Sequence, residues 1–238
     1  MKKQFITLTT VVTIFVLVSC SKGNLGQPDN AEEIATSANA EKGNGSSFNA
    51  SRKLEFWLPF NSNLNEGNGK QISATIENGS TPVYTTDRFG SSNNAIKFDG
   101  IYRIVLSGMR VVTNMSVSVW VKYESATGSG FVFEAPLGIN QSNDKFSGSI
   151  STPSTQGVQS NSLDAGWHHL VATYDGSYIR FYVDGNFVGE NLNQGTFSGG
   201  SQDSMFWLGD GWQGSMDDVR FYTRTLSASD VQALYHLQ

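Results

Sequence analysis

The sequence predicts an all-β sandwich closed by one short C-terminal helix. Three observations carry this. Short runs rich in β-branched and aromatic residues recur along the chain, with Gly, Asn and Ser between them. Asp175-Gly176 lies between the apolar runs "HHLVATY" and "YIRFYV", a strong hairpin signal. Helical spacing is convincing only in "LSASDVQALYH".

The N-terminus stands apart from that pattern. Lys2 and Lys3 precede the uncharged run "FITLTTVVTIFVLVS". The run is short for a bilayer span, which needs about 20 apolar residues, but it suits the apolar region of a signal peptide. Leu17-Val18-Ser19-Cys20 resembles a bacterial lipobox, in which the cysteine receives lipid. Cys20 is the only cysteine, so it has no partner for an internal disulfide. We therefore expect residues 1–19 to be a removable signal peptide and Cys20 to be lipidated, palmitate-type chains anchoring the protein to the membrane. Ser21 rather than Asp follows the cysteine; by resemblance to enterobacterial sorting, this implies the bacterial outer membrane, with either face open. Residues 20–52 are poor in large apolar side chains and rich in Gly, Ser, Asn and Ala. Such a segment buries too little surface to offset chain entropy and reads as a tether.

Residues 53–238 suit one domain. Strands are expected in "KLEFWLPF", "QISATIE", "AIKFDG", "YRIVLS", "MSVSVWVKY", "FVFEAP", "HHLVATY", "YIRFYV", "NFVGE", "MFWLG" and "DDVRFYT". The helix starts at Ser227, with Asp230 three residues on as a capping box and Val231, Leu234 and Tyr235 as its apolar stripe. The net charge of −5 gives no basic footprint for nucleic acid.

"NAIKFDG", "SVSVWVKY", "GWHHLVATYDGSYIRFYVDG" and "GSMDDVRFYTRTLSASDVQALY" together resemble the bacterial laminin-G-like jelly-roll domains of the concanavalin A-like lectin/glucanase superfamily. The resemblance spans about Leu54 to Tyr235. It implies a two-sheet antiparallel jelly-roll sandwich, and a family that includes sugar-binding modules, adhesion domains and appendages of glycosidases. It also implies a structural calcium ion: Asp217 matches an aspartate that helps bind calcium in parts of the superfamily. Near the start, however, relatives often carry Asp in a "PFDGN…D" stretch, where this chain reads Pro59-Phe60-Asn61-Ser62-Asn63-Leu64-Asn65-Glu66; the neutral Asn61 would weaken any cation held there.

Catalytic carboxylates are not evident. Asp217 and Asp218 are neighbours, which on a regular strand point to opposite faces, and Glu124 and Glu134 have no acidic residue at i+2 or i+4. No Gly-x-Ser-x-Gly elbow occurs. His168 and His169 should also diverge, one packed and one exposed, so they should not share a metal. Alternation puts Trp120 opposite Val117, Val119 and Val121, Arg180 with Tyr182, and Arg220 with Tyr222. That outward face suits a ligand platform, although Trp120 matches a tryptophan common across the family and reads first as structural. Trp212, in the Gly-rich "GDGWQGS", is expected at the rim. The expected function is non-catalytic binding of an extracellular polymer, first a glycan. A structural or protein–protein adhesion module and a cryptic glycosidase are the alternatives.

Overall fold

A computed structural model describes residues 48–77, 81–152, 157–194 and 205–237. The signal peptide, Cys20 and most of the tether lie outside them. Contacts divide the chain into Met1–Gly45 and Ser46–Gln238, and all the described residues belong to the second unit. Among them no helix is long and apolar enough to cross a membrane.

In chain order the strands are β1 (Leu54–Leu58), β2 (Ser73–Glu77), β3 (Val83–Thr85), β4 (Ala95–Asp99), β5 (Arg103–Ser107) and β6 (Met115–Tyr123). Then come β7 (Ser129–Glu134), β8 (Leu137–Ser142), β9 (Lys145–Ile150), β10 (Val158–Gln159) and β11 (His168–Tyr174). The last are β12 (Tyr178–Val183), β13 (Asn186–Leu192), β14 (Phe206–Asp210) and β15 (Gln213–Tyr222), before α1 (Ala228–Tyr235). One sheet runs β13-β12-β11-β6-β15-β4-β3, with β1 also on β15; the other runs β10-β9-β8-β7-β14-β5-β2. Every pairing is antiparallel. This is the expected jelly-roll sandwich.

Period-2 alternation builds its core. Val117, Val119 and Val121 of β6 face inward, as do Phe56 of β1 and Phe221 of β15. Phe56, Phe133, Phe206 and Phe221 form a ring cluster between the sheets, with centroids 5.4–6.3 Å apart. Asp184 and Gly185 both take positive φ, 50° and 78°, and Val183 pairs with Asn186 across them. Asp184-Gly185 thus forms a two-residue hairpin loop, and the predicted Asp175-Gly176 joins β11 to its antiparallel partner β12.

The outer face of the first sheet is not open to water. Ser227 caps α1 through the full capping box with Asp230, and Val231 and Leu234 are buried beneath the helix. They pack with Leu54, Val171, Tyr182, Tyr222 and Leu226 as a second apolar cluster. Phe48, placed by the sequence within the tether, packs against that same cluster. Burying each such side chain contributes about 1.5–3 kcal/mol, enough to hold a short helix on a sheet that the alternation alone leaves bare.

Candidate functional site

The site is built on an irregularity in β15. Its register with β6 shifts between Asp217, opposite Trp120, and Arg220, opposite Ser118. One extra residue is therefore accommodated, and Asp218 takes a left-handed φ of 52°. On a regular strand Asp217 and Asp218 would diverge, as the sequence suggests. The bulge instead turns both carboxylates to the outer face, where Arg88 receives them. Arg88 Nη1 donates to Asp217 Oδ2 at 2.5 Å, and Nη2 donates to Asp218 Oδ2 at 2.6 Å. Burial and the neighbouring Asp218 charge push the Asp217 carboxyl up to about 7, against the pull of Arg88.

Aromatic rings frame this ion cluster. The Arg88 guanidinium lies 4.2 Å from the Phe89 ring centroid and 4.9 Å from that of Trp120. Arg220 lies 4.9 Å from the Trp57 ring and 3.1 Å from Asp218 Oδ1. Trp57 Nε1 donates to the same Oδ1 at 2.6 Å. The loop after β3 is shaped by Asp87, whose Oδ1 accepts from the amides of Phe89 and Ser91, both at 2.8 Å. It holds Phe89 58% exposed at the rim. Two adjoining hollows share Arg88, Phe89 and Leu237: one reaches Trp167 and Tyr235, the other Trp57 and Arg220.

The sequence-predicted residues fare unequally. Trp212 is fully buried, not at the rim. Its Nε1 donates to Gln141 Oε1 at 2.7 Å, and its ring tilts against Phe98. The neighbouring glycines make room for it: a Cβ at Gly214 would lie 2.5 Å from the indole, and one at Gly130 only 2.7 Å from the Trp212 Cα. The Gly-rich loop signals a close approach rather than exposure. Tyr182 and Tyr222 do face outward from the sheet but are buried under α1, and burial pushes the Tyr222 hydroxyl up to about 12. Arg180 is held by Asp175 at 2.6 Å and Glu190 at 2.7 Å, so its charge is spent locally. These residues do not form one platform. Trp120, Arg220 and Asp217 do meet at the cleft. Trp120 is nonetheless largely buried, stacked on Tyr235 and tilted against His169, with centroids 5.6 and 5.1 Å away.

The histidines diverge as the strand requires. His168 Nδ1 bonds Asp184 Oδ2 at 2.8 Å, and His169 Nε2 bonds Ser118 Oγ at 2.8 Å. The expectation that one would be exposed fails, because both are buried. Tyr235, the last residue of α1, covers His169, and burial pulls its imidazole down to about 3. Asp184 holds the His168 imidazole above its ordinary range.

Arg88, Phe89 and Trp57 carry no signal of a site in their local sequence, and Asp218 reads there only as a neighbour of Asp217. Trp57 alone had a legible face, since Phe56 and Leu58 claim the inner side and leave it outside. On the other sheet, strand pairing sets Trp207 beside Glu134, and Arg103 reaches Asp210 at 3.0 Å. Burial and Asp210 together raise the Glu134 carboxyl, an acidic neighbour that sequence spacing could not reveal.

The arrangement does not fit a calcium ion on Asp217. A hard cation wants six to eight oxygens, and Asp217 Oδ2 is already taken by Arg88. Among the described residues no group of three or more His, Cys, Asp or Glu gathers to hold a metal.

Residues 90–232 match Laminin_G_3, of the concanavalin A-like lectin/glucanases superfamily. The chain belongs to this family. No curated protein matches it. Among solved structures it is similar to domain 4 of AbnA, a GH43 extracellular arabinanase from Geobacillus stearothermophilus, solved with arabinotriose. There the TM-score is 0.65 at 23% identity, over 77% of this chain and 98% of that one. It is also similar to the receptor binding domain of botulinum neurotoxin mosaic serotype C/D, at TM-score 0.62 and 13% identity, over 77% of this chain and 50% of that one. A third similar structure is the binding domain of botulinum neurotoxin DC in complex with SialylT, at TM-score 0.61 and 12% identity, over 77% and 50% of the two chains. The chain thus spans about half of these toxin domains, and the likeness at such identities is one of fold.

Proposed function

We propose that this laminin-G-like protein is a non-catalytic glycan-binding module, anchored at a bacterial outer membrane through lipid on Cys20, and that the Arg88 cleft takes the glycan. One observation carries the reading. Exposed Phe89 and half-buried Trp57, Trp167 and Tyr235 surround a fixed set of guanidinium, carboxylate and indole N–H groups. Aromatic faces stack on the C–H surfaces of sugars, and a small number of fixed polar groups read the hydroxyls. The arabinotriose complex of a similar domain supports it. The cleft carboxylates Asp217 and Asp218 are both tied to Arg88, so neither is free to act as acid or nucleophile.

A second reading, a protein adhesion module without sugar affinity, draws on the edge strand β13, which exposes Phe187, Val188 and Leu192. A glycan array followed by affinity electrophoresis separates the two. The native protein should be retarded by a glycan, and Phe89→Ala should weaken binding by about 1–3 kcal/mol, roughly 5- to 150-fold. Its thermal midpoint should stay within a few degrees of native, because Phe89 is exposed. A protein that no glycan retards but that adheres to a protein partner through β13 supports the second reading.

A further inference from the structure

We propose that Arg88 is a built-in cation: its guanidinium stands where a metal ion would join the β3–β4 loop to the β15 bulge, so the cleft assembles without calcium. The Asp217 and Asp218 side chains are 5% and 11% exposed, and that of Arg88 is 7% exposed. Two adjacent carboxylates removed from water need a cation of fixed geometry beside them. A planar guanidinium supplies one N–H to each acid, whereas an ammonium is a single point charge. Both nitrogens of the fork are used, at 2.5 and 2.6 Å.

Two further oxygens of the cluster are engaged as well. Asp218 Oδ1 is taken by Trp57 Nε1 and Arg220 Nη2. Asp87, adjacent to Arg88, gives its Oδ1 to the amides of its own loop. The rings of Phe89 and Trp120 lie close to the guanidinium, a contact that a metal ion with bound waters would not make in the same way. The arginine thus performs the two tasks of a structural ion. It neutralises the bulge, and it pins the loop that carries the rim aromatic.

Arg88 does this whichever polymer the cleft takes. The test follows thermal melting of the full-length protein in chelator and in millimolar calcium. The native midpoint should be the same in both. Arg88→Ala should melt several degrees lower in chelator. It should recover part of that loss in calcium, because the freed carboxylates then have an open position between them. A native midpoint that rises with calcium or falls with chelator overturns the proposal, as does an Arg88→Ala protein indifferent to calcium. If Arg88→Ala does not fold, Arg88→Gln, which keeps one N–H donor group, serves as the variant with the same expected and overturning results.

Discussion

Trp212 shows how one side chain can be misread and why. In the sequence it sits among glycines, a composition usually found in exposed turns. In the fold one of them, Gly214, leaves the room that the ring fills, and the indole N–H finds Gln141. Trp212→Ala should therefore cost about 3–5 kcal/mol, measured by urea denaturation, with no direct effect on the cleft. For Trp120, valines at alternate positions fixed its face, and the family resemblance implied a structural role, with which its stack on Tyr235 agrees. His169 makes a pH prediction. Folded, its imidazole titrates near 3, whereas an unfolded histidine titrates near 6.5. The unfolded chain therefore binds the extra proton, and this contribution to stability is full above pH 6.5 and is lost as pH falls toward 3. Asp217 acts with the opposite sense. Its raised folded value means that stability declines as pH rises from about 4 through about 7. His169→Gln should flatten the acid limb of a melting-versus-pH curve, and Asp217→Asn the limb toward neutrality. Curves unchanged by either substitution would contradict the burial argument.

Among the elements, α1 was legible almost completely from local chemistry. Ser227 and Asp230 form the capping box that their spacing announces, and Val231 and Leu234 point inward. Ser227→Ala should cost about 0.5–2 kcal/mol, and Leu234→Ala about 2–5 kcal/mol; both are measurable by chemical denaturation. The destination of the helix was not legible. Alternation along β6, β12 and β15 correctly separates two faces, but nothing local says that the outer one is covered from a distance. The hairpin of β8 and β9 is hidden for a different reason. Its inward residues, Leu137, Ile139 and Gln141 against Phe146, Gly148 and Ile150, alternate with serines and asparagine and include a glycine and a glutamine. Gly148 is there because a Cβ would come within 2.9 Å of Phe181. The β15 bulge is hidden in turn, since an extra residue in a ladder appears only once its partner strand is known.

Across the whole molecule, the first described segment and the last both reach the same cleft: Ala50, Ser51 and Leu237 all line it. The distribution of indoles over this architecture has an optical consequence. Of the five tryptophans, Trp57, Trp120 and Trp167 line the cleft, Trp207 lies on the opposite sheet and Trp212 is sealed in the interior. The two remote indoles supply a constant fluorescence background, while a sugar entering the cleft changes the solvent and the quenching groups around the other three. Titrating the native protein with a bound glycan should shift its intrinsic emission without any added dye. Phe89→Ala should need a proportionately higher concentration to reach the same shift.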